Sequence, residues 1–183
     1  MVKHEVLLAG SGGQGIMSMG MLLAYAGMLE GRNVSWIPSY GPQMRGGDAN
    51  CAVVICDVPV ASPLVEEATG LIVMNQPSLE RYERQLRPQG VLVLNASLIS
   101  TQPRRSDLRV LAIPANELAE ELGEPRVANM IILGGFLAAT RAVSSESVLE
   151  SLRRVLPPRR HHLLDLNRQA LERGESLGGG VSR

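Results

Sequence analysis

Two stretches of this 183-residue chain combine residue types that can hold a ligand. The first is Gly10-Ser11-Gly12-Gly13-Gln14-Gly15, which follows a strand-like run and opens a helix-like one. Glycines there expose backbone N–H groups beside the positive end of a helix, an arrangement suited to a phosphate or another anion. The helix-end contribution is modest, about 0.3–2 kcal/mol. The second is Pro38-Ser39-Tyr40-Gly41-Pro42-Gln43-Met44-Arg45-Gly46-Gly47, with three glycines, two prolines and a single charge, Arg45. Proline removes donors and glycine weakens both helix and strand, so this segment is a loop. Arg45 beside glycines can present its guanidinium fork to a phosphate or carboxylate, and Tyr40 can stack or donate a hydrogen bond. A structural reading stands beside each: a tight turn for the first stretch, and a rigid loop with Arg45 paired to Asp48 for the second.

The first stretch matches G-x-G-x-x-G, but the rest of a dinucleotide fingerprint is missing. An acid for the ribose hydroxyls belongs at the end of the second strand, and that strand ends in Trp36-Ile37-Pro38. Glu30 has roughly the right offset but precedes the strand. Binding of NAD or FAD is therefore disfavoured.

Catalytic groups are scarce. No paired acids, Ser-His-Asp order or metal-ligand cluster can be assembled. His4, His161 and His162 read as solvated or capping residues. Lys3 is the only lysine, which excludes a Schiff-base lysine beyond the amino terminus. Cys51 and Cys56, at an odd offset on one strand, point to opposite faces and read as buried thiols. Two thiols fall short of a cluster site, and reduced cysteines fit a cytoplasmic protein. Charges balance at 18 basic against 18 acidic, and aromatics make up 3%. Nucleic acid and membrane surfaces are thus poor partner candidates. The longest uncharged apolar run, Val127 to Thr140, is too short to span a bilayer, and no amino-terminal targeting signal is apparent.

The elements that must position these loops alternate. Strands are expected at His4–Ala9, Asn33–Ile37, Asn50–Cys56, Gly70–Met74, Val91–Leu94 and Leu108–Ile113. Helices are expected at Gln14–Leu29, from a Ser78 cap to Leu86, and at Asn116–Leu122, Val127–Val143, Ser145–Val155 and Arg159–Arg173. Gly20, Ala24 and Gly27 form a small-residue stripe suited to close packing on a sheet. Val127–Val143 is apolar all round, so it is either central to its own fold or partly covered by another chain. The fold class is α/β: a mostly parallel sheet with flanking helices and a helical C-terminal third. One domain is expected over residues 1–175, with a flexible tail at 176–183.

If the first, second and fourth strands run parallel, the two loops and Asn75–Ser78 share one sheet edge, and Asn95-Ala96-Ser97 joins them. Carboxyl-terminal strand edges are where open α/β sheets bind ligands. Uncharged polar groups dominate this rim: Ser11, Gln14, Ser39, Gln43, Asn75, Gln76 and Asn95. The chain is equipped to hold something, and poorly equipped to transform it.

The two loops together with Met74-Asn75-Gln76-Pro77-Ser78 resemble the gamma subunit of 2-oxoacid:ferredoxin oxidoreductases in residues, order and spacing. Pro114-Ala-Asn-Glu117 and Ala128-Asn-Met130 resemble it too, so the likeness covers nearly the whole chain. Arg45-Gly-Gly47 and the cysteine-bearing strand are more like the 2-oxoglutarate type than the pyruvate type. Where the family usually has Glu in Gly-Pro-Glu-Met-Arg-Gly-Gly, this chain has Gln43, so a role needing negative charge there is lost.

The resemblance implies a subunit of an enzyme that oxidatively decarboxylates a 2-oxoacid, attaches the acyl group to coenzyme A and passes electrons to ferredoxin. Thiamine diphosphate and magnesium would lie between alpha and beta subunits. Iron–sulfur clusters would be carried by beta and, where present, a ferredoxin-like delta subunit. This chain alone would bind none of these, and coenzyme A would lie near its loop edge. The expected contact set is Gly12, Gly13, Gln14, Gly15, Ser39, Tyr40, Gln43, Arg45 and Asn75, with no catalytic or metal-binding residue. Rival readings are a pyruvate or indolepyruvate enzyme subunit, a free-standing nicotinamide or flavin oxidoreductase, and a purely structural assembly subunit.

Overall fold

The computed structural model describes residues 2–39 and 47–179. Tyr40, Gln43 and Arg45 lie outside the described residues. Six strands form one sheet: β1 (Lys3–Ser11), β2 (Asn33–Ser39), β3 (Asp48–Cys56), β4 (Ala68–Val73), β5 (Leu86–Asn95) and β6 (Arg109–Ile113). Their order is β2-β3-β1-β4-β5-β6. β1, β4, β5 and β6 pair in parallel. β3 is antiparallel to both β1 and β2, so β2 runs in the direction of β1. The reversal follows from chain length. Residues 40–47 are too few for a parallel crossover, which needs a dozen or more, so β3 returns beside β2.

Six α-helices among the described residues complete the fold: α1 (Ile16–Leu29), α2 (Gln76–Tyr82), α3 (Ala115–Glu121), α4 (Ala128–Thr140), α5 (Ser145–Val155) and α6 (Leu164–Gly178). Strand alternation splits the core into two layers. Val6, Leu8, Val53, Ile55, Ile72 and Val93 face α1 and the C-terminal helices. Leu7, Ala9, Leu71, Val73, Leu92 and Leu94 face Leu79 and Tyr82 of α2. The small-residue stripe of α1 lies on β2 and β3. A Cβ on Gly20 would meet Cys51 and Trp36, and one on Gly27 would lie 2.7 Å from Val34.

α4 is central to its own fold, the first of the two readings for that segment. Phe136 is fully buried against Gly70 of the sheet. On its other side α4 meets α6 backbone to backbone: Gly134 abuts the Leu171 carbonyl, and Gly174 abuts the Ile131 carbonyl.

Several expected boundaries shift. α6 begins at Leu164, after a 3₁₀ turn over Pro158–Leu163, and runs to Gly178. Residues 176–178, expected in a flexible tail, are thus helical, and Gly178 is buried against α4. β5 starts at Leu86, not Val91. The cap of α2 is Asn75, whose Oδ1 accepts from the Ser78 amide at 3.0 Å; Ser78 is inside the helix. An Asn three residues before a helical N–H satisfies an orphan donor, and Pro77 fits the first turn.

Candidate functional site

β1, β2, β4, β5 and β6 all end on one edge of the sheet, where the expected loops meet. The Gly10–Gly15 turn is held from below by Gln14. Its Oε1 accepts from the Ser11 amide at 2.7 Å, and its Nε2 donates to the Met74 carbonyl at 3.2 Å. The Gln14 side chain therefore joins the ends of β1 and β4. Gly10 leaves it room, because a Cβ there would lie 2.6 Å from Gln14 Oε1 and 2.9 Å from Met74 Cβ. Asn75 makes the second tie: while capping α2, its Nδ2 donates to Ser11 Oγ at 2.6 Å. Gln14 and Asn75 shape the turn through their side-chain amides.

Gly15 caps α1 in a left-handed conformation, φ 77°, with no side-chain cap on the first-turn amides. No acid sits in that turn. Gly12 donates its N–H to the Gly47 carbonyl at 3.2 Å. The second loop thus leaves the sheet at Ser39 and returns beside Gly12. Ser39 pairs with Asn50 at the end of β2, apart from the hollow described next. Asp48 pairs with Arg81 at 2.8 Å.

A hollow of about 240 Å³ opens between the Gly-rich turn and the start of α4. Gly13, Gln14, Gly15, Asn116, Arg126 and Asn129 supply its polar wall, and its lining contains no acid. Asn129 lies on Gly15, so that a Cβ at Gly15 would collide with its amide. Arg126 is held by a two-pronged contact to Glu124, at 2.8 and 2.7 Å. That contact draws the Glu124 carboxyl down to a pKa of about 2.

Asn116 is set by a small network. Fully buried Asn95 donates to Asn116 Oδ1 at 2.8 Å and accepts from the Ser97 amide at 3.2 Å. Ser97 Oγ accepts from the Asn116 amide at 3.0 Å and donates to Glu117. The hydrogen bond from Ser97 keeps the Glu117 carboxyl below its ordinary pKa.

Of the expected contact set, Gly13, Gln14 and Gly15 line this hollow. Gly12 is tied to Gly47 next to it, and Asn75 supports the turn from the α2 side. Asn116 and Asn129 were not expected as site residues, although both sit inside the motifs Pro114–Glu117 and Ala128–Met130. Their signal was an asparagine in the first turn of a helix: α3, which follows the end of β6, for Asn116, and α4, which follows α3 and a 3₁₀ turn over Pro125–Val127, for Asn129.

The rival dinucleotide site fails on topology. β3 lies between β1 and β2, which moves the end of β2 about two strand spacings, roughly 9–10 Å, from the Gly-rich turn. Glu30 is committed elsewhere, accepting from the Ser144 amide at 2.7 Å. Cys51 is buried near the Ile16 carbonyl at 3.6 Å, and burial pushes its thiol up to about 11. Cys56 bonds the Val58 carbonyl from the opposite face. These two thiols cannot converge on one cluster. Among the described residues no group of three or more His, Cys, Asp or Glu side chains could hold a metal ion. No helix there is long and apolar enough to cross a membrane.

The frame and the acid-free hollow can be set beside known proteins. The profile of the pyruvate ferredoxin/flavodoxin oxidoreductase family matches residues 5–177. This chain belongs to that family. Among oxidoreductases of the family, ketoisovalerate oxidoreductase subunit VorA of Methanothermobacter marburgensis is 38% identical over 171 residues. That match covers 93% of this chain and 35% of VorA, so the chain spans about a third of that relative's length. The 2-oxoglutarate synthase subunit KorC of Methanocaldococcus jannaschii is 33% identical over 82% of each chain. The gamma subunit of a keto/oxoacid ferredoxin oxidoreductase from Geobacter sulfurreducens has the same fold over the full length of both chains, with a TM-score of 0.87 at 27% identity. A 2-oxoglutarate:ferredoxin oxidoreductase from Magnetococcus marinus, solved with 2-oxoglutarate, coenzyme A and succinyl-CoA bound, matches all of this chain and 32% of its own. Its TM-score is 0.89 and its identity 21%, a likeness of fold.

Proposed function

We propose that this chain is the gamma subunit of a 2-oxoacid:ferredoxin oxidoreductase of the 2-oxoglutarate type, and that its strand-edge hollow receives an anionic part of coenzyme A. The observation that carries this reading is the acid-free hollow between the amino ends of α1 and α4, walled by glycine backbone, two asparagines and Arg126. Unspent N–H groups at a helix start favour phosphate oxygens. The hollow, at about 240 Å³, lies below the roughly 300–1,000 Å³ of a complete small-molecule pocket. It therefore takes part of a ligand, and other chains complete the site.

Alpha and beta subunits would supply thiamine diphosphate with magnesium, and beta, with a delta subunit where one is present, the iron–sulfur clusters. When bound between its partner subunits, thiamine diphosphate supplies the carbanion chemistry of decarboxylation. This chain would orient the acyl acceptor and exclude water at the entrance. Arg45, together with Tyr40 and Gln43, would belong to the same coenzyme A contact set; the second loop that carries them returns at Gly47, which is tied to Gly12. A branched-chain 2-oxoacid is the second reading for the substrate, favoured by the 38% identity to VorA.

The test uses the assembled complex. Arg45→Ala and Asn129→Ala should each raise the apparent KM for coenzyme A with assembly intact. Kinetics unchanged in both would sink the coenzyme A assignment. Turnover of 3-methyl-2-oxobutanoate in preference to 2-oxoglutarate would select the second reading.

A further inference from the structure

At the opposite edge of the sheet, where the parallel strands begin, a second hollow of about 560 Å³ opens beneath the carboxyl end of α4. Its wall carries Lys3 and His4 of β1, Arg87 and Gln89 of β5, Arg109 of β6 and Thr140 of α4. Three strands that are neighbours of, or next-neighbours to, β4 thus bring His4, Arg87 and Arg109 to one concave surface, while Lys3, next to His4 on β1, alternates to the other face with Glu5.

Charge there is not balanced. Glu5 is the one acid on the lining, and it is paired with Lys3 at 2.8 Å. Nearby acids are also committed: Asp57 to Arg32 at 2.8 Å, and Asp107 to Arg105. Arg87 and Arg109 have no ion-pair partner among the described residues. The Nε of Arg109 is buried and makes no hydrogen bond there. A buried donor left without an acceptor is costly, and a group that supplies one is bound favourably. The carboxyl end of α4 contributes about half a negative charge. That offsets only part of two whole guanidinium charges. Gln89 at the rim holds φ 61°, a backbone conformation uncommon outside glycine that often marks a functional surface.

The volume falls within the range of small-molecule sites, and guanidinium forks match phosphate oxygens in pairs. We propose that this second hollow binds the phosphoryl group of a small phosphorylated molecule through Arg87 and Arg109, at a site separate from the strand-edge hollow. It would be present whatever acyl acceptor the other edge receives.

His4 gives a reporter for occupancy. Burial first, then Arg32 and Arg87, hold its imidazole below the ordinary pKa, with Asp57 opposing them. Lys3 and Glu5 flank it on β1. An anion beside Arg87 would cancel part of this positive field and raise the His4 midpoint. The experiment titrates the full chain with inorganic phosphate, pyrophosphate and ADP while following the His4 ring by NMR, with His4→Gln assigning the signal. Saturable binding is expected, with an upward move of the His4 midpoint. Arg87→Met, at an exposed position and so safe for folding, should weaken it about tenfold, as should Arg109→Met. Asn129→Ala should leave it unchanged. Saturation by phosphate and pyrophosphate alone means a bare phosphoryl group is read, and saturation by ADP as well means the site admits a nucleotide. Either supports the proposal. Non-saturating titrations with all three anions, or Arg87→Met binding as tightly as the wild type, would overturn it.

Discussion

Asn129, in the first turn of α4, rests directly on Gly15, the left-handed cap of α1. One contact thus sets the spacing between two helix starts that bound the strand-edge hollow. No side chain other than hydrogen satisfies both demands at position 15, the φ of 77° and the adjacent amide.

Gly15→Ala should lower stability by about 1–2 kcal/mol from the left-handed backbone alone, and by more from the clash with Asn129. In an Asn129→Ala background the steric part should vanish and the backbone part remain. Urea unfolding of the four proteins of this double-mutant cycle measures the coupling. A coupling of zero would remove the contact from the account.

Asn95 is the buried centre of the network that sets Asn116. Asn95→Ala should cost roughly 1–3 kcal/mol, because the half-buried Asn116 Oδ1 and the Ser97 amide lose their partners. Hydrogen exchange at Ser97 and Asn116 should speed up before exchange in β1 or β4 does.

The α4–α6 crossing depends on glycine. Gly174→Ala should destabilise by about 1–3 kcal/mol, since the methyl group must displace the Ile131 carbonyl. Gly179→Ala is the control. A Cβ there meets nothing within 4 Å, its φ is −67°, and it should be neutral or slightly stabilising. Thermal unfolding of the two variants side by side separates packing from composition.

His4 makes stability depend on pH. Burial, then Arg32 and Arg87, lower its folded pKa beneath the ordinary imidazole value of 6.5. Between the two pKa values the unfolded chain binds more protons, so stability falls as pH drops through that window. Above 6.5 the contribution is complete. His4→Gln should flatten this part of the stability–pH curve. An identical curve would mean that the ring is not held neutral by the fold.

Much of the frame was legible in residue pattern. All six strands and six helices were expected, because glycine and proline punctuate apolar runs of clear period. Strand direction was harder. The apolar run of β3 looks the same in either direction, and only the short link over 40–47 forces the reversal that separates β1 from β2. Capping was misassigned at α2, because Asn75 and Ser78 are both good caps. The choice fell to Asn75, which can reach Ser11 across the sheet edge as well.

By itself the amino-acid sequence determined the α/β alternation, the Gly-rich turn after β1 and the resemblance to the ferredoxin oxidoreductases. These rest on residue type and near-neighbour spacing, which the chain carries locally. Tertiary structure alone decided that Gln14 and Asn75 tie the turn in place, that Asn116 and Asn129 line the strand-edge hollow, and that α4 is enclosed by its own α6. It also decided that Arg87 and Arg109, at the far edge, have no ion-pair partner among the described residues. Those relations join residues 14 to 74, 15 to 129 and 134 to 171. Contacts at such separations exist only once the sheet has brought the strand ends together.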